Sequence, residues 1–269
     1  MKTPLITFAL TLSCALTASA AGELPSATLP VGAGETPSTS TSEQSDYAIE
    51  DVPNWVNELS NLPPQKRQLY INNFDAAKRA FSRGALTQCE QCLDECEAIF
   101  NKNPNVWNLR ASVQIAQKRF ADAEQWLAKV REAAPDDVVS TLNYSLLYLG
   151  SGRYEQAITE CDNLLLDIKY KEKMEGLRHS LLFRKFLCFI MMDKMDDAKA
   201  LVADVNPMTN SPLYYYSQAV LAVVAGDRDT AIREMTAADS IYRTDAYLAT
   251  YKQGITFSGL LERFLQQSK

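Results

Sequence analysis

The chain reads as an all-α fold, a right-handed α-α superhelical solenoid of about five helix pairs with a C-terminal capping helix. Three observations predict this. From Tyr47 onward, apolar residues recur at helical spacing while Gly and Pro fall singly instead of in clusters, the pattern of helices joined by short turns. A small residue also recurs five positions after each turn signal, at Cys89, Ala123, Ala157, Ala198 and Ala231, with steps of 34, 34, 41 and 33. Finally, several stretches preceding those turns are apolar on more than one face, as in helices packed between neighbours.

The turn segments themselves align as Gly84 to Cys89, Lys118 to Ala123, Gly152 to Ala157, Asp193 to Ala198 and Gly226 to Ala231. Gly or a polar residue lets the chain reverse between two helices. An aromatic two positions on, Phe120 and Tyr154, plugs the turn, and the small residue lets the helices approach closely. Pro104, Pro135 and Pro207 fall at unit boundaries, where no further helical hydrogen bond is needed. The longer step of 41 residues places its extra residues between Ile168 and Gly176 and predicts lengthened helices there. Thr244 is placed to cap a last helix through Leu248, Tyr251, Leu260, Leu261, Phe264 and Leu265, whose outer face carries Lys252, Glu262, Arg263, Gln266 and Gln267.

With these residues in view, the chain resembles the tetratricopeptide-repeat family, whose unit is two antiparallel helices in 34 residues. Trp107, Ala111, Phe120, Ala123 and Pro135 fit its pattern in the second unit, and Tyr148, Gly152, Tyr154, Ala157 and Ile158 in the third. The resemblance covers about residues 65 to 243. The fourth and fifth units depart from it, with Asp193 at a turn position usually Gly and Arg228 where an aromatic is usual. Ala198 and Ala231 nevertheless hold the small-residue positions of those two units. What the resemblance implies is a non-enzymatic scaffold that binds another protein or peptide.

Residues 1–20 read as a secretory signal peptide: Lys2, an apolar run from Leu5 to about Leu16, then Ala18-Ser19-Ala20, with cleavage expected before Ala21. Residues 21–46 are rich in Gly, Pro, Ser and Thr and lack aromatic residues, which suits a flexible linker, and the repeat domain is expected over residues 47–269. No later stretch is long and apolar enough for a spanning helix, so the mature chain is expected to be exported to the periplasm, the envelope or the exterior without a transmembrane segment. The net charge of −6, with 27 Lys and Arg against 33 Asp and Glu and no basic run, disfavours nucleic acid as partner.

Candidate chemistry is sparse. Cys89-Glu90-Gln91-Cys92 has the spacing of a redox pair, but no strand precedes it, no second pair follows for zinc, and Cys89 and Cys96 fall on the face that wants small packing residues. Five cysteines remain beyond residue 20, namely Cys89, Cys92, Cys96, Cys161 and Cys188, so disulfide pairing within one chain leaves at least one over. His179 is the only histidine, which removes Cys-His and Ser-His constellations and any His-rich metal site. Asp136-Asp137 and Asp196-Asp197 fall at helix starts, where carboxylates favour the dipole. No catalytic set, metal site or cofactor is expected.

The resemblance also implies a concave functional surface, lined by the first helix of each pair. By the repeat alignment its residues are Phe74, Phe81, Leu142, Leu146, Leu149, Phe183, Leu187, Ile190, Tyr216, Val220 and Val223. An apolar trough of that extent needs covering, by the chain itself, by a second copy in a homodimer, or by a partner segment. Binding of a partner, in a role such as envelope assembly, is the leading expectation. Its alternative is a glycan-binding component, for which Tyr214-Tyr215-Tyr216 would be the stacking residues, although consecutive helical residues diverge by about 100°.

Overall fold

The computed structural model describes residues 53–168, 174–209, 211–243, 248–260 and 262. The signal peptide, the linker, the Thr244 cap, residues 169–173 of the long step, and Leu261, Arg263, Phe264, Leu265, Gln266 and Gln267 lie outside them. Among the described residues the chain forms twelve α-helices and no strand. They are α1 (Asn54–Ser60), α2 (Pro64–Ser82), α3 (Leu86–Ile99), α4 (Pro104–Ala116), α5 (Phe120–Ala133), α6 (Val138–Gly150), α7 (Tyr154–Ile168), α8 (Glu175–Met191), α9 (Met195–Leu201), α10 (Leu213–Ala225), α11 (Arg228–Ile241) and α12 (Leu248–Phe257).

Helices α2 to α11 pack as five successive hairpins, α2 on α3, α4 on α5, α6 on α7, α8 on α9 and α10 on α11. The hairpins are built by one repeated turn. Gly84, Gly152 and Gly226 have φ of 74°, 76° and 78°, and Lys118 and Asp193 take the same left-handed conformation at 60° and 58°. Each is followed by a residue whose amide reaches back to the last turn of the first helix: Ala85 N to Ala80 O at 2.9 Å, Arg119 N to Gln114 O at 2.8 Å, Arg153 N to Tyr148 O at 2.8 Å, Lys194 N to Phe189 O at 2.9 Å and Asp227 N to Ala222 O at 2.8 Å. This is the Schellman closure, which satisfies carbonyls that the helix end would otherwise leave unpaired. The turns therefore fix the register of the repeat.

Helix starts use short acceptor side chains. Asn103 accepts from Asn105 N at 2.9 Å, with Pro104 in the first turn of α4. Asp137 accepts from Val139 N and Ser140 N at 2.6 and 3.1 Å at the start of α6, and Asp227 accepts from Thr230 N at 3.0 Å. Helices α7 and α8 run 15 and 17 residues, against 13 and 14 for α4 and α5, so the long step is accommodated as lengthened helices on either side of residues 169–173.

Inside each hairpin a small residue marks the closest approach. Cys89, Ala123, Ala157 and Ala198 are fully buried and Ala231 is 1% exposed. Phe120 and Tyr154 pack at half-buried positions against the larger core, and the Phe120 ring lies where a β-carbon on Gly150 would be 3.0 Å away. Ala111 is buried beside them and Trp107 is half-buried. Neighbouring second helices are tied across the outside by two arginines: Arg131 of α5 lies 3.8 Å from the Tyr144 ring centre and pairs with Glu160 at 3.0 Å, while Arg153 lies 4.4 Å from the Tyr148 ring centre and pairs with Glu124 at 2.9 Å.

Candidate partner-binding groove

The first helices of the hairpins, α2, α4, α6, α8 and α10, form the inner wall. Their central members, α6, α8 and α10, are apolar nearly all round because they are packed on two sides within the hairpin stack and on a third by α12. The terminal helix folds back across them instead of continuing the array, lying against α8 and α6. Its Tyr251 ring sits 4.9 Å from the Phe183 ring and 5.3 Å from the Tyr216 ring, centre to centre. One turn on, Gly254 lies so close to α8 that a β-carbon there would stand 2.9 Å from Leu187 Cδ1 and 3.5 Å from the Phe183 ring. Beyond that, Phe257 Cβ approaches Gly150 of α6. Past the helix end, Glu262 reaches Lys118 at 3.8 Å, in the second hairpin's turn.

This path accounts for three of the candidate lining residues, whereas Leu142 packs with Cys161 and Leu164 of α7 and Phe81 with Cys89 and Leu93 of α3. Phe183, Leu187 and Tyr216 lie beneath α12 and are at most 1% exposed. Leu142, Leu146, Leu149, Ile190, Val220 and Val223 are buried as well, and so is Phe81 in the first hairpin. Phe74 alone among them is half-buried, with Lys78 Nζ 5.1 Å above its ring and paired to Asp75 at 2.7 Å. Of the three coverings open to the sequence, the chain's own terminal helix is the one the structure holds.

Polar groups around the groove hold α12 at its edges. Asp239 at the end of α11 accepts from Tyr216 Oη at 3.0 Å and from Lys252 Nζ at 2.8 Å. The buried Tyr216 hydroxyl is held protonated, its pKa raised first by desolvation and then by the Asp239 carboxylate. Ser211 Oγ and Tyr251 Oη lie 3.4 Å apart, and Leu213 N donates to the same serine at 3.2 Å. Deeper in the stack is a polar seam that the apolar pattern concealed. Arg184 of α8, 3% exposed, donates to Leu142 O at 2.7 Å and Ser145 Oγ at 2.6 Å, and Asn143 Nδ2 donates to Asn108 Oδ1 at 3.3 Å. The signal for it was present in the two adjacent cations of Phe183-Arg184-Lys185-Phe186, which a helix apolar on most of its faces cannot both present to solvent.

The remaining candidates are placed as follows. Cys89 is buried near the start of α3, Cys92 is half-buried, and all five described cysteines are unbonded. Burial pushes the Cys89 and Cys96 thiols up to about 12, the opposite of the thiolate stabilisation a redox pair depends on. His179 is buried in α8, 4.0 Å from Glu175. Tyr214 and Tyr215 meet edge to face at 87° while Tyr216 turns inward, so the three rings present no common plane. Among the described residues no group of three or more His, Cys, Asp or Glu could hold a metal ion, and no helix is long and apolar enough to cross a membrane.

Comparison with known proteins agrees with the repeat geometry. Residues 72–142 and 114–169 match the model of the tetratricopeptide repeat. Residues 72–169 thus carry the tetratricopeptide repeat. The crystal structure of a tetratricopeptide repeat protein from Parabacteroides merdae ATCC 43184 is similar in fold, covering 75% of this chain and 75% of that one with a TM-score of 0.53 at 16% identity. No curated protein matches. Gly84, Lys118 and Gly152, with the buried Cys89, Ala123 and Ala157, are thus the local geometry of those repeats, and Asp193 and Gly226 repeat the same turn beyond them.

Proposed function

We propose that this tetratricopeptide-repeat protein is a non-enzymatic scaffold that holds a segment of another protein on its inner wall, through Phe74 and Phe81 in the first hairpin and the apolar side chains of α6, α8 and α10 beyond. The observation that supports this reading is the seating of α12, a helix laid across the repeats with Tyr251 against Phe183 and Tyr216 and Gly254 against Leu187. Helix-in-groove recognition uses apolar anchors at helical spacing, which this wall supplies. The character of residues 1–20 supports action outside the inner membrane, in the periplasm or envelope.

Site-specific photocrosslinking tests the reading. A photoreactive residue at Phe74, on the inner wall, is expected to give a discrete protein adduct in cells, whereas one at Leu166, 69% exposed on α7, is not. Adducts from Leu166 alone, or from neither site, overturn it. Sequencing the N-terminus of the protein recovered from the periplasmic fraction checks the export reading, with Ala21 expected first.

A further inference from the structure

The segment best shown to fit the inner wall is α12, and its own properties are those of a weak occupant. It has 10 residues, below the length at which isolated helices form, with Gly254 in its interior and β-branched Thr250, Ile255 and Thr256 around it. Leu248, Ala249, Lys252 and Gln253 are good helix formers, but ten residues are too few to hold a helix away from the groove. Its fit is also incomplete, because Thr250 Oγ1 is buried with no hydrogen-bond partner among the described residues. Besides the 3.4 Å approach of Tyr251 Oη to Ser211 Oγ, its polar ties include exposed ion pairs: Lys252 to Asp239, with side chains 52% and 44% exposed, and Lys118 to Glu262, with 61% and 56%. Such pairs contribute little net stability. What keeps α12 in place is the apolar stripe of Tyr251, Gly254 and Ile255, together with the high effective concentration that a tether gives.

We propose that α12 is a replaceable occupant, and that the partner is an amphipathic helix carrying an improved version of the same face: an aromatic residue, a small residue three positions on, an aliphatic residue at four, and a basic residue directly after the aromatic to meet Asp239. This rests on the scaffold reading above and specifies the partner's chemistry. A free helix built on a better helix-forming sequence, with an apolar residue in place of Thr250, matches every contact α12 makes and carries none of its penalties. Until such a helix arrives, α12 keeps Phe183, Leu187 and Tyr216 from water, where an open trough would invite aggregation.

The probe is α12 itself, a labelled peptide with the sequence of residues 248–262, added to the full-length chain. In the wild type the tethered helix competes with it. In Gly254→Leu the added side chain must enter the space held by Leu187 and Phe183, so α12 leaves while the wall keeps every one of its residues. The Gly254→Leu chain is expected to bind the wild-type peptide at least about tenfold more tightly than the wild-type chain does, since each tenfold reflects the displaced competitor. A Thr250→Val peptide should bind more tightly still, and peptides with Tyr251→Ala or Gly254→Leu at least about tenfold more weakly. Hydrogen exchange of the wild-type chain gives a second measure that needs no variant: amides of residues 251–257 should exchange well ahead of those in α4 and α6.

If α12 exchanges only together with α4 and α6, or if Gly254→Leu loses its helical spectrum, α12 is part of the core and the proposal fails. It fails equally if the folded variant ignores the peptide. A wild-type dimer that Gly254→Leu abolishes would assign the groove to the α12 of a second copy and overturn the partner-helix proposal. Crosslinking from Phe74 separates the two readings, because a discrete adduct there without peptide binding leaves the scaffold standing, and peptide binding without an adduct overturns the scaffold and the partner helix with it.

Discussion

Tyr251 stacks on Tyr216 with ring centres 5.3 Å apart and planes inclined by 23°, which joins the terminal helix to the fifth hairpin across the inner wall. Both side chains are 1% exposed. Tyr251→Ala should therefore remove the main anchor of α12, at a cost of about 3–5 kcal/mol by analogy with other buried aromatic truncations. The loss is expected to be local. Amides of residues 252–257 should lose their hydrogen-exchange protection while those of α4 and α5 keep theirs, and uniform loss across the chain would contradict it.

The two non-glycine turns give predictions of opposite sign to the glycine turns. Lys118 holds φ at 60°, a conformation that costs an ordinary residue about 1–2 kcal/mol and glycine almost nothing. Lys118→Gly should stabilise by somewhat less than that, about 0.5–1 kcal/mol, because glycine also gains freedom in the unfolded chain. At Gly152, φ is 76° and the nearest atom to an added β-carbon is Tyr154 Oη at 4.0 Å, so Gly152→Ala meets no clash and its destabilisation, about 1 kcal/mol, is pure backbone strain. Urea unfolding of the two variants measures both signs.

These turns also show how far the sequence was legible. Spacing alone aligned Lys118 and Asp193 with Gly84, Gly152 and Gly226, and all five take the same left-handed conformation, because a hairpin of fixed helix lengths demands its reversal at fixed intervals whichever residue occupies it. The burial of the first helices was legible too, from side chains such as Leu146 and Leu187 recurring at helical spacing. Their covering was not. A final helix bearing Tyr251 and Leu260 has the same periodicity whether it continues the stack past α11 or folds back over α8, and the choice rests on a contact between Gly254 and Leu187 separated by more than sixty positions. The buried Arg184 was hidden for the same reason. Its acceptors, Leu142 O and Ser145 Oγ, lie in a different hairpin.

Ala157 is fully buried where α7 meets α6 in the third hairpin. Ala157→Leu inserts three heavy atoms into that approach, and overpacking should cost about 1–3 kcal/mol or more. Thermal melting tests it. A variant that melts like the wild type would displace the repeat register from the helix contact it is drawn from.

The cysteines set an alkaline limit on stability. Burial raises Cys89 and Cys96 to about 12 and Cys161 to about 11, above the ordinary thiol value of 9.0 that each regains on unfolding. Below pH 9 both folded and unfolded chains hold these protons, and the thiols contribute no pH dependence. Above it the unfolded chain gives up protons that the folded chain retains, so stability falls with rising pH and goes on falling until the folded thiols themselves ionise, at about 11 for Cys161 and about 12 for Cys89 and Cys96. A Cys89→Ala, Cys96→Ala variant should show a shallower fall in unfolding free energy between pH 9 and 11 than the wild type. The same burial predicts the order of thiol modification at neutral pH. Cys92, half-buried at the edge of the α2–α3 core, should react with iodoacetamide in the folded protein, and Cys89, Cys96, Cys161 and Cys188 only as the chain unfolds. Labelling of Cys89 at the rate of Cys92 would mean that the α2–α3 hairpin opens readily, and the alkaline dependence would then shrink with it.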